Sequence, residues 1–113
     1  MSRNVLVVLS NPTEGQDAEY NEWYTTKHLD EVVEIPGFVS AQRFRLTDAQ
    51  LSGFQASSHR YLALYEIEGD VEPALEALHS RVASGEIALP GAIDAASIAP
   101  WAFTPITDRT SAE

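Results

Sequence analysis

Residues Asn11–Phe38 read NPTEGQDAEYNEWYTTKHLDEVVEIPGF. A polar turn opens the stretch, and the acidic Glu14, Asp17 and Glu19 suit the positive end of a helix dipole. Pro36 disfavours helical geometry in the residue before it, and Gly37 completes the reversal. Between these signals the spacing predicts a helix from near Asp17 to Ile35, about 19 residues and roughly 28 Å long. Tyr20, Trp23, Tyr24, Lys27, His28, Val32 and Ile35 share one side of it, while Glu19, Glu22, Thr26, Asp30 and Val33 take the other. Leucine and alanine would fill a plain core stripe with better helix propensity and no polar atoms to satisfy. Three aromatic rings and an imidazole in that position point to a wall that lines something.

Outward from this helix, Val5–Leu9 is an apolar, β-branched run that reads as a strand buried on both faces. Phe38–Leu46 alternates as a second strand, with Arg43 on the opposite side from Phe38 and Phe44. Arg43 reaches the helix side only through a bulge or a rim position. After the loop Thr47–Ser58, Arg60–Ile67 forms a third strand with Tyr61, Ala63, Tyr65 and Ile67 on one face. Asp70 is a candidate N-cap and Pro73 suits a first turn. Val71, Ala74, Leu75, Leu78 and Val82 make the stripe of a second helix, and Gly85 its stop. A last strand falls at roughly Ala96–Thr104, where Pro100 implies an edge or a bulge.

The order β-α-β-β-α-β is α+β and ferredoxin-like: a four-stranded antiparallel sheet with two helices on one face. Residues 1–106 make a single domain, and Thr107–Glu113 is a polar tail. The uncovered sheet face is expected to show Leu6, Val8, Leu62, Leu64, Trp101 and Phe103. A face so apolar calls for a partner, most simply a second copy packing sheet on sheet.

At 113 residues the chain supports one core. A formal net charge of −10 argues against nucleic acid or anionic membrane as partner, because phosphate recognition needs clustered Lys and Arg. With no cysteine, disulfides, thiol nucleophiles and Cys-based metal centres are excluded. The early apolar run is too short for a signal or membrane segment, so a cytoplasmic location is the default expectation. No glycine-rich dinucleotide fingerprint, phosphate loop or paired-histidine zinc spacing occurs, and neither a cofactor nor a metal is expected.

His28 is the candidate proton-transfer group, since imidazole serves as acid or base near neutral pH. Its bland alternative is a core histidine bonded to a carbonyl. Tyr24, one turn earlier, is placed to donate to a substrate oxyanion or to orient the imidazole; the alternative is a seam residue with its hydroxyl in water. Trp23 and Tyr20 supply a flat apolar wall. Asn11, at the end of the first strand, either reaches the pocket mouth or closes its own turn. Tyr61 and Tyr65 either line the pocket or pack. Arg43 is the cation for an anionic or enolate oxygen, unless it is solvated.

Trp23-Tyr24-x-x-x-His28, followed by Glu31-Val32, Ile35-Pro36-Gly37-Phe38 and Arg43-Phe44, resembles the EthD-like branch of the dimeric α/β-barrel superfamily. The resemblance implies two ferredoxin-like subunits with sheets packed into a barrel, each with a pocket between helices and sheet. Superfamily members include polyketide cyclases, quinone-forming monooxygenases, muconolactone-type isomerases and haem-binding relatives. The pocket-facing positions of the cyclases fall on His28, on Val5, Val7, Leu9 and Asn11, and on Tyr61, Ala63 and Tyr65. Their histidine after the third strand has no counterpart, and His79 lies within the second helix instead. The expected function is a cofactor-independent lyase, isomerase or cyclase that moves a proton with His28 on a small, apolar, oxygenated substrate. Alternatives are cofactor-free monooxygenation, and a non-catalytic or haem-binding accessory protein using His28 or His79.

Overall fold

The computed structural model describes residues 3–113. Strands β1 (Asn4–Ser10), β2 (Phe38–Arg45), β3 (Tyr61–Ile67) and β4 (Ala99–Phe103) form one antiparallel sheet in the order β2-β3-β1-β4. The β1–β2 crossover carries the long first helix, and the β3–β4 crossover carries the second. Both helices lie on one sheet face, where Tyr20, Tyr24, Val32 and Ala74 share a core with Leu6, Phe38, Tyr65 and Ile67. This is the ferredoxin-like α+β arrangement that the element order predicts. No helix among the described residues is long and apolar enough to cross a membrane.

The first helix is one continuous rod in three parts: α1 (Asp17–Trp23), a π-helical turn (Tyr24–His28) and α2 (Leu29–Val33). The Leu29 N–H donates to the Tyr24 carbonyl, five residues back. The cause is legible in the buried stripe, Tyr20, Tyr24, His28 and Val32, which repeats every four residues. At 3.6 residues per turn such a repeat drifts by about 40° at each step. A turn that takes up one extra residue cancels the drift and keeps all four side chains against the sheet. Lys27, expected on the stripe, is exposed instead. The rod ends at Val33, two residues earlier than the sequence suggests, and Gly37 makes the reversal at φ +101°. A Cβ at Gly37 would sit 3.2 Å from that of Ala74, so the close approach to the second helix also requires glycine.

The second helix, α3 (Val71–Ala83), begins after Asp70, whose side chain makes no capping hydrogen bond. Ala74 is buried, and Leu75, Leu78 and Val82 are half-buried. Residues 104–113 form neither helix nor strand.

Register decides which residues face the helices. A bulge between Phe38 and Ser40 on β2 puts Phe38 and Arg43 on the same side of the sheet, with Arg43 opposite Ala63. On β1, Leu6 pairs with Tyr65 and Val8 with Ala63, so Leu6 and Val8 face the helices. Val5, Val7 and Leu9 take the other face, opposite Phe103, Trp101 and Ala99. This reverses the expected phase, which put Val5, Val7 and Leu9 against the helices and Leu6 and Val8 outside. An all-apolar strand carries no alternation from which to read its phase, and only pairing with β3 sets it. The outer face is therefore Val5, Val7, Leu9, Leu62 and Leu64, flanked by Phe44, Trp101 and Phe103; Trp101 is 62% exposed and Phe103 57%.

Candidate functional site

The first helix, α3 and the inner face of the sheet line a cavity of about 380 Å³ that is open to solvent on one side. Leu6, Val8 and Tyr65 line it from the sheet, and Tyr24, His28 and Val32 from the first helix. α3 contributes Leu75, Leu78, His79 and Val82, and Leu89, Ile93 and Ile98 close it on the β4 side. The volume lies at the low end of the ~300–1,000 Å³ range of small-molecule pockets. Its polar side chains are two phenols and two imidazoles.

His28 is buried at the wall. Its ring stacks on Trp23 at 4.5 Å and 21°, and meets Tyr24 edge-on at 5.0 Å. In an α-helix residues 23 and 28 would lie about 140° apart around the axis; the π-turn brings them together. Nδ1 of His28 lies 3.4 Å from Oε1 of Glu31. A carboxylate at Nδ1 favours the Nδ1–H tautomer, which leaves the lone pair on Nε2. Burial lowers the His28 pKa from its ordinary value, and the hydrogen bond and charge of Glu31 oppose that shift. The result is an oriented imidazole that is neutral near pH 7.

The Tyr65 hydroxyl donates to the Tyr24 oxygen at 3.5 Å. Burial pushes the Tyr24 pKa up to about 12 and raises Tyr65 as well, with Tyr24 adding to the second shift. Both are therefore neutral donors. With its oxygen accepting from Tyr65, Tyr24 keeps its own hydrogen for an oxygen bound in the cavity.

Of the residues singled out from sequence, the cavity brings together His28, Tyr24 and Tyr65. The others lie elsewhere. Both ends of the Asn11 amide tie down the loop before β3: Nδ2 donates to the Ser58 carbonyl and Oδ1 accepts from the Arg60 N–H, at 2.9 and 2.8 Å. Asn11 is thus a clamp and not a pocket-mouth group. Arg43 is on the helix side but outside the cavity. Its guanidinium binds Asn21 and Thr25 and packs over the rings of Tyr20, Tyr24 and Tyr61. Tyr20 is fully buried with its hydroxyl 2.6 Å from Ser10 Oγ, and Tyr61 accepts from Asn21 at 3.2 Å. Neither lines the cavity, and Trp23 supports His28 from behind it. Val7 and Leu9 are on the outer face, as β1 pairing requires.

Two further residues bear on the site: Glu31, which the sequence offered only within the family-like string, and His79, which it offered only as a haem ligand. Glu31 stands three residues after His28, the spacing at which helical neighbours meet. His79 lines the cavity from α3. Its signal lay in the spacing: Leu75, Leu78, His79 and Val82 form one helical stripe.

A ferredoxin-like domain with an apolar chamber between its helices and sheet, and an oriented imidazole in the chamber wall, defines the class. Solved structures share this fold over nearly the whole chain. An EthD-family protein from Bacillus halodurans is 20% identical, with 93% of this chain and 100% of that one covered at a TM-score of 0.63. An EthD-like protein from Ralstonia eutropha is 17% identical, with 97% and 98% covered at 0.62. A candidate monooxygenase from Shewanella loihica is 19% identical, with 95% and 98% covered at 0.56. The fold is the one that these EthD-family and EthD-like structures share. No family model matches the sequence, and no curated protein matches it.

Proposed function

We propose that the chain is a cofactor-independent enzyme that moves a proton beside the carbonyl or phenol oxygen of a small apolar substrate. The observation that carries this reading is the His28–Glu31 pair beside a cavity otherwise lined by hydrocarbon, two neutral phenols and the His79 imidazole. The substrate ring lies against Leu6, Val8, Leu75 and Leu78. Its oxygen accepts from the Tyr24 hydroxyl, steadied by Tyr65. Nε2 of His28 removes the neighbouring C–H proton, and Glu31 stabilises the imidazolium that forms. Negative charge developing on oxygen is met by a donor already in place.

The test is deuterium uptake at the α-carbons of 2-tetralone in D2O, followed by NMR. The wild type should exchange these positions at least about a hundredfold faster than His28→Asn. Equal rates in the two proteins refute the assignment.

A second reading is monooxygenation in the same chamber, and the name of the Shewanella loihica neighbour is what favours it. The same carbanion would then react with dioxygen. Oxygen uptake during turnover separates the two.

The assembly belongs to the same proposal: a homodimer that packs the outer faces together. Support comes from Val7, Leu9, Leu64, Trp101 and Phe103, which form a continuous apolar surface with two half-exposed aromatic rings. Sedimentation should give a dimer for the wild type and a monomer for Trp101→Lys. A monomeric wild type removes this part.

A further inference from the structure

We infer that His79 is the second proton carrier of the cavity, delivering a proton to a substrate carbon that His28 does not reach. The inference rests on the base reading of His28 and narrows it to a reaction class: the 1,3-allylic isomerisation of β,γ-unsaturated ketones to their conjugated isomers.

Three observations lead there. First, the cavity holds two imidazoles, and they come from different helices, His28 from the first and His79 from α3. Second, His28 cannot follow a proton from one carbon to the next. Its ring is stacked on Trp23 at 4.5 Å, held by Glu31 at 3.4 Å and abutted by the edge contact with Tyr24. A base so clamped takes a proton at one point, and a shift along three carbons then requires a second donor. Third, His79 is exposed while it lines the cavity, so it exchanges protons with water directly. On the stripe of Leu75, Leu78 and Val82 it is also the one polar side chain that α3 contributes to the lining.

The step balances without any co-reactant. His28 takes the α-proton, and the C–H electron pair becomes the double bond of a dienolate as the carbonyl pair moves to oxygen. Tyr24 donates to that oxygen. When the carbonyl re-forms, the dienolate pairs shift by one bond, and the γ-carbon takes a proton from the His79 imidazolium. The product has the atoms and electrons of the substrate, with His28 protonated and His79 neutral. Solvent resets both.

The probe is cyclohex-3-en-1-one in D2O, with labelling at C2 and C4 read by NMR and the conjugated product by its absorbance. The wild type should form cyclohex-2-en-1-one carrying deuterium at C4. In His79→Gln the ratio of C4 to C2 labelling should fall about a hundredfold. An unchanged ratio in that variant overturns the inference and leaves the base reading standing. Exchange at C2 in the wild type with no conjugated product does the same. Failure of the wild type to exchange even C2 overturns both.

Discussion

Deleting Thr26 tests whether the π-turn is a one-residue insertion that keeps the buried stripe in phase. Tyr20 and Val32 are twelve positions apart in sequence and both fully buried. On a regular α-helix twelve residues leave them about 120° out of phase, and eleven leave about 20°. Removing Thr26 therefore lets an ordinary α-helix present Tyr20, Tyr24, His28 and Val32 to the sheet. Thr26 is exposed, and its one bond, to the Glu22 carbonyl at 2.6 Å, stays within its own helix. The net loss should be under about 1 kcal/mol. The control is deletion of Glu76, equally exposed but in α3, which has no π-turn to absorb the change. There Leu78 and Val82 would rotate about 100° away from the face held by Ala74. Losing two half-buried aliphatic side chains costs about 3 kcal/mol or more, a large share of the ~5–15 kcal/mol that holds a domain together. Urea unfolding with a check on constant slope measures both. If deletion of Thr26 costs as much as deletion of Glu76, the phase argument is wrong.

Gly37→Ala should cost about 2–4 kcal/mol, because it combines a positive φ with a Cβ 3.2 Å from Ala74. Gly85→Ala, at φ +84° with nothing within 4 Å, should cost only about 1–2 kcal/mol in the same unfolding assay. Glu31→Gln removes the group that raises the His28 pKa against burial. The acid limb of ketone exchange should therefore move to lower pH and the rate should fall; an unmoved limb shows that Glu31 does not govern the base. Because folded His28 is held below its free value of about 6.5, the unfolded chain binds more protons as pH falls through that value. Wild-type stability should drop there relative to His28→Gln, as thermal unfolding at pH 5 and pH 8 would show. Tyr24 has the opposite sign: its raised pKa means that the native state holds its proton longer, so its contribution should be lost as pH climbs from 10 to about 12. Tyr24→Phe should flatten that part of the alkaline unfolding curve.

Tyr24 and His28 were legible because a helix stripe has a strong period and because aromatic and imidazole side chains are unusual fillers for it. Tyr65 followed from strand alternation. Arg43 shows the limit of that method: its face turned on a bulge whose need was visible but whose position, between Phe38 and Ser40, was set by pairing. Once on the helix side, it was taken up by Asn21, Thr25 and three rings, and those contacts depend on elements far apart in the chain. Asn11 was drawn into a loop clamp by Ser58 and Arg60 in the same way.

By itself, the sequence determined the order of elements, the ferredoxin-like topology and the chemical character of the first helix. These depend on local period and on turn residues such as Pro36 and Gly37, which act within a few bonds. Only the tertiary structure decided that Leu6 and Val8 face the cavity while Val7 and Leu9 turn away, because an apolar strand has no phase until a neighbour supplies one. It also decided that His79 shares a chamber with His28. Their meeting depends on two helices docking over one sheet, a contact between chain segments some fifty residues apart that no local pattern encodes.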